Sequence, residues 1–503
     1  MATPAIVRTP PDENIADEIR SYLRACEKPM LAEAGTPPLA LAPESFELIE
    51  RGAHVFVHAW SAQSTLTRRI VGVKTRRRNQ LILRTEVFGG RTGAITLYDA
   101  ARPTTRDPDR RSNRLELRER FRRFLRRQFP DARLSDLSTE ANLESTLSPN
   151  FPRALVKRGT AAWAAIAAPP EFSIVDDVLS FGLIWLDYLR RRETRLSVEG
   201  LLLYLPAGLE RTTCLRLNIL TGAKWRAWAY AEDGFEAPVD LADYGNLDTS
   251  VAPCHGVPPN AISERLAQTL AIPGVEAVAA ADGTLRIRVR GLELARVIGS
   301  AILKTFQNCR PVSCSESELS ALAAEVAQLR SPAAPDRRHP FYTCNPELWL
   351  ESQVRAQIED LDAEILPAPI YGQVPGITGT AHGLIDLLAC DRTGRLVVIE
   401  LKASEDLHLP LQALDYWMRV KWHAQRGDFP RHGYFPGLGV RPAAPRLLLV
   451  APALQFHPTN EVILRCFPPE IPVERIGVGI EWQKKLKVML RASHAAQLPS
   501  PRS

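Results

Sequence analysis

The stretch His382-Gly-Leu-Ile-Asp386-Leu-Leu-Ala-Cys390, then Asp-Arg-Thr-Gly-Arg395, then Leu396-Val-Val-Ile-Glu400-Leu-Lys402-Ala403 decides the fold. Two apolar runs joined by a polar, Gly-containing turn spell a β-hairpin. Alternation puts Glu400 and Lys402 on one face of the second strand, and Asp386 on the first strand can face them. Two carboxylates and one ammonium therefore converge on an otherwise apolar sheet. Buried charges are costly unless they are paired or hold a metal. Adjacent carboxylates suit a hard cation such as Mg²⁺, which takes oxygen ligands and keeps several waters. Such an ion activates water and neutralises charge on a phosphate oxygen. A lysine beside it can orient the nucleophile or stabilise the transition state.

Working outward, Pro346–Ile358 reads as a helix, with Pro346 in its first turn and Asn345 as N-cap. Leu350, Val354, Ile358 and Leu361 form its apolar stripe, and Glu347 and Glu351 share a face at i, i+4. One of these acids could reach the metal site, and Glu351 borders the apolar stripe. Downstream, Leu411–Lys421 reads as a helix with Gln412 and Tyr416 on one face.

Asp386, thirteen residues, then Glu400-Leu-Lys402 resembles the PD-(D/E)xK nuclease motif of the restriction-endonuclease-like fold. Gln412-x-x-x-Tyr416 resembles the Q-x-x-x-Y element of the RecB-like branches. Glu351 matches the helical glutamate that precedes the hairpin in many members. The arrangement is also similar to the C-terminal domain of archaeal and actinobacterial mismatch endonucleases. Ile385 stands where the motif has proline, a departure many members share. The resemblance covers about residues 340–480, roughly a third of the chain. It implies that Asp386 and Glu400, with the Leu401 carbonyl, ligate Mg²⁺ or Mn²⁺, and that Lys402 is catalytic. It further implies that Glu351 completes or polarises the site, and that Gln412 and Tyr416 support the lysine or touch the DNA backbone. The implied activity is metal-dependent hydrolysis of DNA, duplex or structured, with RNA the lesser candidate.

Residues 151–245 repeat the pattern of 336–490. Arg446-Leu-Leu-Leu-Val-Ala-Pro452 matches Gly200-Leu-Leu-Leu-Tyr-Leu-Pro206, Leu414-Asp-Tyr416 matches Leu186-Asp-Tyr188, and Leu396–Ile399 matches Trp163–Ile166. The order of elements is the same, which indicates an internal duplication. Gap-free matching sets Arg153 against Asp386, Ala167 against Glu400, Pro169 against Lys402 and Ile184 against Gln412. The charges are lost while the pattern persists, so the fold does not require them. The Arg-rich helix before Phe129 would correspond to the helix carrying Glu351.

The 503 residues, 45% hydrophobic and 24% charged, exclude a mostly disordered chain and leave room for several domains. The longest apolar stretches fall short of a membrane span. No secretory signal is visible, and eight scattered cysteines without a Cys-x-x-Cys pair argue against a zinc ribbon. A cytoplasmic protein without membrane contact is expected. No Walker A pattern is present. Net charge is +6, but Ala101–Pro130 alone carries eleven Arg against four acids, so 11 − 4 = +7. This clustering suggests a polyanion partner. Arg76, Arg77 and Arg78 at a strand turn, with Arg118, Arg122, Arg123 and Arg126 on the amphipathic helix, are the candidate nucleic-acid contacts. His382, four residues before Asp386, could sit at the site rim or be a plain polar strand residue; His408 and His423 lack ligand spacing, and Cys254-His255 sits in a Pro-rich loop.

The expected architecture is a multidomain α/β protein. An N-terminal arm (1–40) precedes a small, mainly-β basic domain with the Arg-rich helix (41–130). A degenerate nuclease-like repeat (131–249) and a small α/β linker domain (250–335) follow. A PD-(D/E)xK nuclease domain (336–491) and a disordered tail (492–503) complete the chain. The repeat could serve as scaffold, DNA clamp or homodimer surface. Repair and defence both suit such an enzyme. The rival expectation is a non-catalytic nucleic-acid-binding or assembly protein that keeps a vestigial nuclease site.

Overall fold

The computed structural model describes residues 15–493, apart from 27, 34–38, 42–45, 52–53, 61–64, 78–79, 88–90, 100–107, 232, 245–246, 248, 256–265, 281–282, 306–311, 373 and 375–384. It is a mixed α/β protein that divides into two compact units. One comprises 1–107 with 305–312, the other 108–304 with 313–503. Among the described residues no helix is long and apolar enough to cross a membrane.

The first unit is a seven-stranded antiparallel sheet. Alternation turns Val55, Val57, Ala59, Leu81, Leu83, Ile95 and Leu97 into one core, where Ala16, Ile19 and Tyr22 of the helix Ile15–Arg24 join them. The expectation of a separate arm over 1–40 is thereby corrected for its described part. Pro29–Glu33 pairs with Arg91–Asp99, and Leu39–Ala40 extends the same sheet. Pairing between segments so far apart in the chain leaves no mark in a local pattern.

The second unit holds two six-stranded sheets of one design. The first is Arg133–Ser138, Arg153–Arg158, Ala161–Ala167, Ser197–Pro206, Lys224–Tyr230 and Glu236–Val239. The second is Tyr371–Gly372, Leu387–Cys390, Leu396–Leu401, Arg446–Pro452, Val473–Val478 and Val488–Ser493. In each the strands lie in chain order, the third, fourth and fifth are parallel, and the others are antiparallel to their neighbours. A long helix joins strands three and four, Val178–Arg192 in the first copy and Leu409–Arg426 in the second. A short one joins four and five, Arg211–Leu217 and Asn460–Leu464. The last strand reaches Ser493, so the expected tail begins two residues too early.

Burial follows the same plan twice. The helix Pro108–Gln128 lays Leu117, Phe121, Phe124 and Leu125 on the outer face of the first sheet, against Val156, Leu202 and Tyr204. Its grouping with the β domain at 41–130 is therefore corrected: its apolar stripe belongs to the second unit. Pro346–Ala356 lays Trp349, Leu350 and Val354 on the outer face of the second sheet. The inner faces share one core, with Leu201 and Leu203 on one side and Leu447 and Leu449 on the other.

A small antiparallel sheet, Val275–Ala279, Leu285–Val289, Leu292–Ile298 and Ala301–Lys304, supports the helix Pro346–Ala356. Gly291 has φ +82°, and a Cβ there would stand 1.9 Å from the Leu348 carbonyl oxygen, so only glycine allows this approach. Arg330 is fully buried, lies over the Trp349 ring and donates to the carbonyl oxygens of Arg290, Phe341, Cys344 and Asn345. It fixes the chain entering that helix.

Candidate active site

The hairpin of the second sheet sets the site. Leu387 pairs with Ile399, so Asp386 falls next to Glu400 in the register. Val397, Ile399 and Leu401 pack outward, while Leu396 and Val398 pack inward, which sends Glu400 and Lys402 inward as well. Asp386 Oδ2 accepts the Leu401 N–H at 2.8 Å. Glu400 is 1% exposed, and its Oε2 has no hydrogen-bond partner among the described residues. Lys402 Nζ lies 3.8 Å from Glu400 Oε1 and 3.7 Å from Asp406 Oδ2. The expected trio is thus brought together at one strand end.

Its electrostatics are those of crowded acids. Burial pushes the Asp386 carboxyl up to about 7, against the pull of the Leu401 N–H and Lys402 and with the push of Glu351 and Glu347. Burial first, and then the charge of Asp386, raise Glu400 well above the ordinary glutamate range. For Lys402 burial favours the neutral amine, but Glu400, Glu347, Asp406 and Asp386 outweigh it and raise its pKa. One ammonium is short of what these acids need, and a proton or a cation relieves them. Gln412 Nε2 donates to the Tyr416 hydroxyl at 3.1 Å. Burial, and then the charge of Glu400, hold that hydroxyl protonated.

The donor set fits a hard divalent ion. Asp386 and Glu400 could hold it, with the Leu401 carbonyl on the same strand end. Among the described residues no group of three or more His, Cys, Asp or Glu is placed to hold a metal. A two-carboxylate site of this kind leaves the remaining positions to water, as Mg²⁺ tolerates.

Glu351 lies near the pair but is held by arginines. Its Oε1 accepts from Arg288 at 3.1 Å and Arg355 at 2.7 Å, and Glu351 and Arg288 are 2% and 4% exposed. Arg355 also donates to the Ile370 carbonyl oxygen at 2.6 Å, next to the strand Tyr371–Gly372. Two guanidinium groups share that oxygen, which ties the glutamate into the surrounding structure, while its charge still acts on Asp386. Glu347, one turn earlier on the same face, makes no ion pair among the described residues. Its charge acts on Asp386, Glu400 and Lys402. The i, i+4 spacing put both acids on one face. The signal that separates them is Arg288, which comes from another sheet.

The first copy shows the same place emptied of acids. Trp163 pairs with Gly200 as Val397 pairs with Arg446, which moves the gap-free match by one residue. Ile166 and Ala168, not Ala167 and Pro169, stand for Glu400 and Lys402. Ile166 pairs with Arg153, so Arg153 does stand for Asp386. Arg153 is buried, donates to the Glu140 carbonyl oxygen at 2.6 Å and lies over the Trp185 ring.

The basic candidates are less uniform than their sequence. Arg118 and Arg122 both pair with Glu119, at 3.3 and 2.7 Å. Arg123 and Arg126 are exposed and make no ion pair among the described residues. In the other unit Arg76 is exposed, 3.5 Å from Glu18. Arg78, the side chain of Arg77 and His382 lie outside the described residues. His408 contacts Ser180 and His423 contacts Asp428 and Thr249, all within packing between elements. In comparisons with family models, curated proteins and solved structures, none matches this chain.

Proposed function

We propose that the Asp386–Glu400–Lys402 end of the second sheet hydrolyses phosphodiester bonds of DNA with Mg²⁺ or Mn²⁺, as its resemblance to the PD-(D/E)xK nucleases implies. The observation that carries this reading is the buried, unpartnered Glu400 oxygen beside Asp386, with Lys402 at the mouth of the pair. An acid pair of this kind is costly to keep and has no packing purpose. The bound ion supplies a lowered pKa for the attacking water and neutralises charge on the phosphate. Asp386 must give up its proton before it ligates, so proton and metal compete there near neutral pH. Lys402 stays an ammonium and is placed to hold the nucleophile or steady the charge that develops on phosphate. Gln412, half-buried, can donate to a phosphate oxygen, while the fully buried Tyr416 hydroxyl holds the Gln412 amide in place. Exposed Arg123 and Arg126 give the second unit a sequence-independent hold on a polyanion.

The test is cleavage of labelled single-stranded, duplex, flap and mismatched DNA, with an RNA arm, in Mg²⁺ or Mn²⁺. Cleavage that disappears in Asp386→Ala and Lys402→Ala supports the reading. Salt-sensitive binding without cleavage, unchanged in both variants, would replace it with a binding protein that keeps a vestigial site.

A further inference from the structure

We infer that the two copies form a pair complete within one chain, with a single hydrolytic centre, so that each encounter with duplex DNA breaks one strand. This rests on the proposed function and adds its product. The contacts between the copies are reciprocal. The first copy's long helix, Val178–Arg192, packs on the second copy's short one, Asn460–Leu464. The second copy's long helix, Leu409–Arg426, packs in turn on the first copy's Arg211–Leu217. The ion pairs follow the same exchange. Asp415 of the Leu-Asp-Tyr match holds Arg216 at 2.8 Å, and its counterpart Asp187 faces Arg465 at 4.0 Å. Reciprocity of this kind is the signature of a two-fold interface between identical subunits. Here one polypeptide supplies both sides.

The inner faces and long helices lie inside the shared core, so this surface is closed to a second chain. The strands of a duplex are themselves related by two-fold axes. An enzyme with two equivalent acid sites across its own two-fold can therefore meet a phosphate on each strand. In this chain the second position holds Arg153, Ile166 and Ala168, with no carboxylate to bind an ion. One strand meets the acids and the other does not.

The experiment is a time course on supercoiled plasmid with the full chain, Mn²⁺ and excess protein. The expected course converts supercoiled to nicked circle, with linear DNA arising only later from a second, independent nick. Linear DNA formed from the outset without a nicked intermediate would overturn the inference and leave the proposed function standing. No cleavage of plasmid or oligonucleotide in either metal would remove both.

Discussion

The two six-stranded sheets agree in strand order, strand direction and helix placement, yet one strand end carries Asp386, Glu400 and Lys402 while the other carries Arg153, Ile166 and Ala168. The first copy shows what this fold needs for stability: apolar packing, and at the register position of Asp386 a guanidinium satisfied by carbonyl oxygens. The second copy keeps mutually repelling acids in the same place. Fold maintenance explains the first arrangement and not the second, which the proposed hydrolytic role would explain.

The sharpest way to break this comparison is to remove charges on each side. Asp386→Ala or Glu400→Gln should lower the cleavage rate by ~10³-fold or more, about 4 kcal/mol in barrier. Arg153→Met should leave that rate unchanged while lowering the unfolding midpoint, since carbonyl oxygens lose their donor. Equal loss of cleavage in Arg153→Met would end the contrast.

The reciprocal ion pairs come next. Asp415→Ala strands the buried Arg216 and should cost about 3 kcal/mol in denaturant unfolding. Asp187→Ala affects an exposed partner at 4.0 Å and should cost under ~1 kcal/mol. Equal costs would show that the two pairs are not unequal counterparts.

The acid site should also report its ion. Mn²⁺ at a hundred times its Kd should stabilise the protein by about 2.7 kcal/mol, an effect absent in Asp386→Ala. The sign with pH follows from Asp386. Its folded pKa of about 7 lies above the ordinary aspartate value, so the native state holds an extra proton between the two. The metal-free protein is therefore most favoured at acid pH and loses that contribution as pH rises through about 7. Mn²⁺ stabilisation should grow over the same window, and Asp386→Asn should weaken both trends in thermal melts, leaving the part that buried Glu400 contributes. The smallest effect belongs to the exposed cations. Replacing Arg123 and Arg126 by Ala should reduce the salt slope of duplex binding by about 0.9 for each phosphate left without its arginine.

Much of this was legible in the sequence. The hairpin and its trio were, because Gly394 in a polar turn and two apolar runs leave few alternatives to paired strands. The duplication was legible in matched apolar segments, but the register was not. A bulge at Ala162/Trp163 shifts the pairing, and one residue of slip exchanges the two faces of a strand. Trp163 consequently packs outward where the gap-free match set it against inward Leu396. The fate of Glu351 depended on Arg288, which spacing along the helix does not reveal. The Arg-rich helix read correctly as amphipathic, but which sheet its phenylalanines cover is a tertiary fact.

The shared core has a consequence for how the chain is made. Leu183, Leu201 and Leu203 belong to one buried cluster with side chains as late as Phe467 and Val473. Thr221 donates its N–H to the Cys466 carbonyl oxygen, closing a loop of well over two hundred residues. At synthesis rates of about 5–20 residues per second, the helix layer of the first copy waits some tens of seconds for its cover. During that interval the nascent chain presents the side of its apolar helix Val178–Arg192 that later packs on Asn460–Leu464. Slower elongation or truncation before Phe467 should therefore bring chaperone capture or aggregation of the emerging half.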